Sequence, residues 1–163
     1  MLSLAAGDFT DLSMTTCALR RWHAVVNTRD TRQAPEVVTD PVLVHGPKGA
    51  GRISTAQFAD WIEHSAITLT AHTWHPVSER VSVVEQHATW PQDPSGTEVA
   101  TCFITSAGRV SAALRYPPAR EALQLAHLLS EVFAVETVTS TEERTTVAGT
   151  STTSAGTRKD ARA

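Results

Sequence analysis

Apolar residues recur every three or four positions near the start of the chain, at Met14, Cys17, Ala18, Trp22, Val25 and Val26. This spacing predicts a helix over residues 13–27, with Ser13 as its N-cap. Residues 35–39 read as a short second helix that starts at Pro35 and is broken by Pro41. Val42-Leu43-Val44 reads as a short strand and residues 46–51 as a glycine-rich loop. Ser54 or Thr55 then caps a helix through His64, with Phe58, Trp61 and Ile62 on its apolar face. From Ile67 the period changes to two. Residues 67–75, 80–90, 98–106 and 109–116 are rich in β-branched and aromatic side chains and read as strands. Residues 92–96 form a turn between two of them, and Ser106-Ala107-Gly108 a tight hairpin between the next two. A last helix is expected over residues 119–135, with Ala122, Leu125, Ala126, Leu129, Val132 and Phe133 inward.

Helices followed by a run of strands imply an α+β fold, with helices packed on one face of a curved antiparallel sheet. The flanks are different in composition. Of the 27 residues from Thr137 to Ala163, twelve are Ser or Thr, and Val138 and Val147 are the only large apolar ones. Such a segment buries too little apolar area to offset its ordering entropy and reads as disordered. The expected organisation is a flexible N-terminus over 1–12, one domain over 13–136 and a disordered tail over 137–163.

Charge narrows the partners. The net charge is −3. In the tail, Glu142, Glu143 and Asp160 stand against Arg144, Arg158, Lys159 and Arg162, a balance of +1, so the rest carries −4. With no basic excess to neutralise phosphates, nucleic acid is not an expected partner. No apolar run approaches a membrane span. Met1–Ala6 is apolar but lacks a basic start, so a secretory signal is not expected either. Cys17 and Cys102 have no CxxC spacing, which argues against a disulfide framework or a thiolate zinc site. A cytoplasmic protein fits all of this.

Several strings resemble the NTF2-like superfamily, the cone-shaped fold of ketosteroid isomerase, SnoaL-type polyketide cyclases, scytalone dehydratase and limonene epoxide hydrolase. They are Arg21-Trp22-His23-Ala24-Val25-Val26-Asn27-Thr28-Arg29-Asp30, then Val44-His45-Gly46-Pro47 with the glycine loop and Phe58-Ala59-Asp60-Trp61, and finally Gly108-Arg109-Val110 leading to Leu114-Arg115-Tyr116. The resemblance spans about residues 14–126. It implies a curved sheet wrapped around N-terminal helices, an added C-terminal helix, an apolar cavity open at one end, and homodimers formed through the outer sheet face. It also implies chemistry without a cofactor or metal. Counted along these strings, the isomerase's helix-1 tyrosine falls on Trp22, its general-base aspartate on Gly46 and its protonated aspartate on Ala100. Neither Gly46 nor Ala100 can move a proton, so the resemblance does not carry the steroid-isomerase mechanism. An indole N–H at Trp22 can still donate. A slip of one residue brings His45 to the base position, but in a strand it also turns the side chain to the other face.

The candidate chemistry follows from these positions. His45 is the candidate base, since an imidazole titrates near neutrality; otherwise it is a rim histidine bonded to a carbonyl. Glu85 and His87 share a strand face and would act as an orienting acid and its base, or would lie on the outer surface. Trp22, His23, Trp61 and Trp90 are candidate ligand-binding residues; packing and the helix surface are the alternatives. His72 and His75 lie an odd offset apart in a strand, which sends them to opposite faces, so no metal site is expected. Arg115 alternates against an apolar set at Val110, Ala112, Leu114 and Tyr116; it is solvated, at an interface, or placed to meet a carboxylate.

Three function classes remain. One is an isomerase, cyclase or dehydratase acting on a small apolar metabolite of polyketide or terpenoid type. The second is a non-catalytic small-molecule-binding module, and the third a dimerisation or interaction domain. Fold alone does not choose among them. Two of His23, His45, Glu85 and His87 converging on one cavity would favour the enzyme. An aromatic and aliphatic cavity would favour binding.

Overall fold

The structure is a computed structural model. It describes the backbone of residues 6–47, 49–117 and 119–148, and the side-chain environments of 14–47, 49–117 and 119–136. Helix α1 spans Ala6–Thr28, a single 3-10 turn follows at Thr31–Gln33, and α2 spans Ala34–Val37. Strands β1 (Val38–Gly46) and β2 (Gly49–Ile53) precede α3 (Thr55–Ser65). Then come β3 (Thr68–Pro76), β4 (Val81–Trp90), β5 (Asp93–Ser106), β6 (Arg109–Tyr116) and α4 (Ala119–Ala148).

The expected α+β order holds, and the sheet is six-stranded in the order β2-β1-β6-β5-β4-β3. It is mixed rather than purely antiparallel, because β1 pairs β6 in parallel. The long path through α3 and β3–β5 returns β6 beside β1 in the same direction, a geometry that a tight turn cannot give. Strand β2 occupies the expected glycine loop. Its Gly49-Ala50-Gly51-Arg52 run is exposed and shows no apolar alternation, so its pairing with β1 left no mark in the hydrophobic pattern.

Ser54 caps α3 as expected. Its hydroxyl accepts from the Gln57 N–H while the Gln57 side chain accepts from the Ser54 N–H, a capping box that satisfies two otherwise orphan donors. The expected turn at 92–96 is mostly strand. Gly96 sits at φ +72°, and a Cβ there would press on the Ala88 carbonyl oxygen, so β5 closes against β4 only over glycine.

The helices at the two ends run further than the periodicity indicated. α1 begins at Ala6 rather than at Ser13, and α4 continues to Ala148 rather than to Val135. Helix there needs only backbone hydrogen bonds and tolerable propensities, which a search for an apolar stripe does not see. Residues 1–5 and 149–163, the remainder of the expected loose ends, lie outside the described residues.

The chain divides into two compact units, one to Ser130 and one from Glu131. The described part of the second is helix, with Val132 and Val135 exposed. The first holds the core. Leu19, Trp22, Val25 and Val26 of α1 meet Phe58 and Ile62 of α3 and the sheet residues Leu69, Val84, Ala88 and Phe103. No described helix is long and apolar enough to cross a membrane.

Candidate functional site

One face of α3 sets the site. Gln57, Phe58, Trp61, His64 and Ser65 recur at helical spacing and line a cavity of about 580 Å³. Across it stand Trp22 of α1 and the inward residues of the sheet: Val42, Val44 and Gly46 of β1, Ile53 of β2, Thr101 of β5, and Ala113 and Arg115 of β6. Trp61 stacks on Phe58, centroids 5.8 Å apart at 24°. The walls are aromatic and aliphatic, and no Asp or Glu is among the described residues that line them.

His45 borders this cavity, but strand alternation sends its imidazole elsewhere. Val42, Val44 and Gly46 face inward, so Leu43 and His45 face out. Ala50, paired with His45, does not border the cavity, whereas Gly49, paired with Gly46, does. The His45 ring stacks on Tyr116 at 4.8 Å, and Nδ1 donates to the Arg115 carbonyl at 2.9 Å. The candidate base is thus a rim histidine bonded to a carbonyl. A similar one-residue step applies on β5, where Thr101 rather than Ala100 borders the cavity.

His23 is buried behind the wall. Its Nδ1 lies 2.7 Å from the Leu19 carbonyl, which can only accept, so Nδ1 carries the proton. Nε2 then accepts from the Gln86 amide at 2.7 Å, and the Thr101 hydroxyl donates to Gln86 Oε1 at 2.7 Å. Each of these three contacts joins a donor to an acceptor, with the imidazole neutral. Burial lowers the His23 pKa below its ordinary 6.5, and the Leu19 contact opposes this in part. The sign for stability follows. Above pH 6.5 both folded and unfolded His23 are neutral; below it the unfolded chain takes a proton that the folded one refuses, so stability falls with pH. We expect an NMR titration to show His23 neutral at a pH where it is charged in the urea-unfolded chain, with a lower urea midpoint at pH 5.5 than at pH 7.5. A His23 resonance titrating above 6.5 would remove this account.

Glu85 and His87 lie on the opposite sheet face from Val84, Gln86 and Ala88, which meet the core. They do not border the cavity and do not pair with each other. Glu85 contacts His75 at 2.7 Å, and Glu98 bridges His72 and His87, each at 2.7 Å. These two contacts hold the Glu98 carboxyl below its ordinary pKa. His72 and His75 thus reach carboxylates on the same outer face, contrary to the odd-offset expectation, because a bulge between Ala71 and Thr73 absorbs one residue. Among the described residues no cluster could hold a metal ion. Trp90 is half-buried against the core and does not border the cavity, leaving Trp22 and Trp61 as the tryptophans that do. Burial pushes the Cys102 thiol up to about 11, so it is no nucleophile at neutral pH.

Of three cavity groups, the sequence named Trp22 as a ligand-binding donor, left Arg115 between an outer face and a carboxylate, and passed over His64. Trp22 Nε1–H is buried and has no hydrogen-bond partner among the described residues, an unusual state for a buried donor. His64 stands where α3 borders the cavity and is exposed to solvent. Its Nδ1 donates to the Asp60 carbonyl at 2.7 Å, so in the neutral ring Nε2 is the lone-pair nitrogen. Its spacing of three from Trp61 and seven from Gln57 was the readable signal. Arg115 faces inward because β6 carries a bulge opposite Ile104–Thr105, which puts Val110 on the same side as Ala113 and Arg115.

No family model and no curated protein matches the chain. Solved structures do. An NTF2-like protein of unknown function from Cytophaga hutchinsonii superposes with a TM-score of 0.57 at 11% identity, over 67% of this chain and 94% of that one. A candidate ketosteroid isomerase from Kribbella flavida gives 0.55 at 16% identity, over 65% and 78%. A candidate polyketide cyclase from Sinorhizobium meliloti gives 0.54 at 10% identity, over 61% and 93%. At such identities the likeness is one of fold.

Proposed function

We propose, from the NTF2-like fold of this chain as premise, that its cavity binds a small, flat, largely apolar molecule carrying a hydrogen-bond-accepting oxygen. The observation that carries this reading is the buried, unpartnered Nε1–H of Trp22, a residue that lines the cavity beside Phe58 and Trp61. A buried donor without a partner costs roughly 1–3 kcal/mol, which a ligand oxygen would recover. Phe58 and Trp61 supply flat surfaces, and offset stacking on them favours a planar body. The test compares 2-tetralone with naphthalene by titration calorimetry. Trp22→Phe keeps the ring bulk and deletes the N–H. It should weaken the ketone about three- to tenfold, the worth of one neutral hydrogen bond, and leave naphthalene unchanged. Equal losses for both compounds, or for neither, would sink the donor role.

A second reading, an isomerase or cyclase moving a proton on the bound molecule, draws on His64 and on the names of two of the fold's neighbours. His64 Nε2 would take an α-proton as the carbonyl becomes an enolate, and Trp22 N–H would hold the enolate oxygen. Deuterium uptake at the α-carbon of 2-tetralone in D₂O reads that step. His64→Gln should lower it about a hundredfold; an unchanged rate leaves binding alone.

A further inference from the structure

Arg115 lines the apolar cavity, and its guanidinium has no ion pair or hydrogen bond to any described residue, the engaged part of the residue being its main chain. The side chain is half-buried, and burial lowers its pKa below the ordinary value. A cation taken from water usually keeps a counter-charge. Here none of the cavity's described lining residues is acidic. Nothing in the fold requires a charge there, since a long apolar side chain would cover the same surface. What remains is a planar fork of donors beside a cavity without carboxylates, a geometry that matches a carboxylate with two parallel hydrogen bonds.

We infer that the molecule held in this cavity is a monocarboxylate with a flat apolar body, its carboxylate paired with Arg115 and its body against Trp61 and Phe58. This rests on the proposed binding role of the cavity and names the class of its ligand. The expected partner is thus narrowed from an apolar molecule to an apolar acid. The chain's net charge of −3 does not oppose this, because the described lining of the cavity holds Arg115 and no Asp or Glu.

The test uses three probes of one shape: 2-naphthoate, methyl 2-naphthoate and naphthalene, titrated calorimetrically at pH 7.5. The wild-type protein should bind the acid at least tenfold tighter than the ester, the scale of a charge-assisted pair. Arg115→Met should erase that preference while leaving ester and naphthalene affinities as they were. Arg115→Lys keeps the charge without the fork and should retain part of it. Circular dichroism and urea midpoints check that both variants are folded; should the Met variant fail to fold, the Lys variant carries the test. Ester and naphthalene binding as tightly as the acid to wild type would overturn the inference and leave the binding role intact. An acid preference that survives in Arg115→Met would also overturn it, since another cation would then hold the acid. No binding of any probe would overturn both. A reduced ketone affinity in Trp22→Phe alongside an unchanged acid preference separates the two claims further.

Discussion

Phe103→Ala is expected to lower the unfolding free energy by about 3–5 kcal/mol, measured by urea denaturation. Phe103 is fully buried towards the C-terminal end of β5. Its ring meets Trp22 edge-on, centroids 4.9 Å apart at 71°, and stands 5.6 Å from the His23 ring. Truncation removes the apolar area and also opens a void, because the β5 backbone is held on both sides by β4 and β6 and cannot collapse into it. Edge-to-face aromatic contact adds a further share beyond area. The effect reaches the cavity. Trp22 packs between Phe103 and the cavity, so losing one support lets its indole shift and weakens 2-tetralone binding as well. Phe103→Leu, which refills much of the volume, should cost far less. A loss below about 1 kcal/mol for the alanine variant would mean that the site does collapse, and that Trp22 is held by its other neighbours.

What the sequence showed and hid divides along strand geometry. The helices of the core were readable because Trp22, Val25, Val26, Phe58 and Ile62 follow the helical period and are all buried. The long central strands were readable because Val84 and Ala88 alternate with Glu85 and His87. Which face turned inward was not readable from that alternation alone, as Gln86 and Glu85 are both polar. Gln86 belongs inside because it answers His23 across the core, a contact 63 positions away in sequence. The site suffered most where bulges intervene. One extra residue in β6 turned Arg115 from the expected outer set to the cavity, and one in β3 brought His72 and His75 to the same face. A bulge leaves no periodic trace, yet it reverses every assignment beyond it. His45 shows the converse: β1 is regular around it, and regular alternation keeps its imidazole outside. The polar groups at the cavity include the Trp22 donor, the Arg115 cation and the His64 imidazole beside Gln57, Ser65 and Thr101. That set suits holding an acid more directly than it suits the paired acid–base chemistry expected of Glu85 and His87.

Gln86→Leu should be comparably damaging, with a loss of about 2–6 kcal/mol, although leucine is close in size and apolar. The reason lies in what it leaves behind. Gln86 is fully buried, and its amide is the partner of both His23 Nε2 and the Thr101 hydroxyl. Leucine would strand a lone pair and an O–H in a dry interior, each at roughly 1–3 kcal/mol. His23 cannot escape by taking a proton, since burial opposes the charged ring, and its Nδ1 proton is already committed to Leu19. The decisive measurement is a double-mutant cycle with His23→Leu. Removing both polar partners leaves only Thr101 unanswered, so the double variant should be more stable than the sum of the single losses predicts, by about 1–3 kcal/mol. Simple additivity would show that His23 and Gln86 are not coupled, and that the chain of hydrogen bonds from Leu19 to Thr101 does not act as a unit. Coupling without Thr101's participation would appear as an unchanged penalty when Thr101→Val is added to the double variant, because a buried hydroxyl left without an acceptor should instead gain from its own removal.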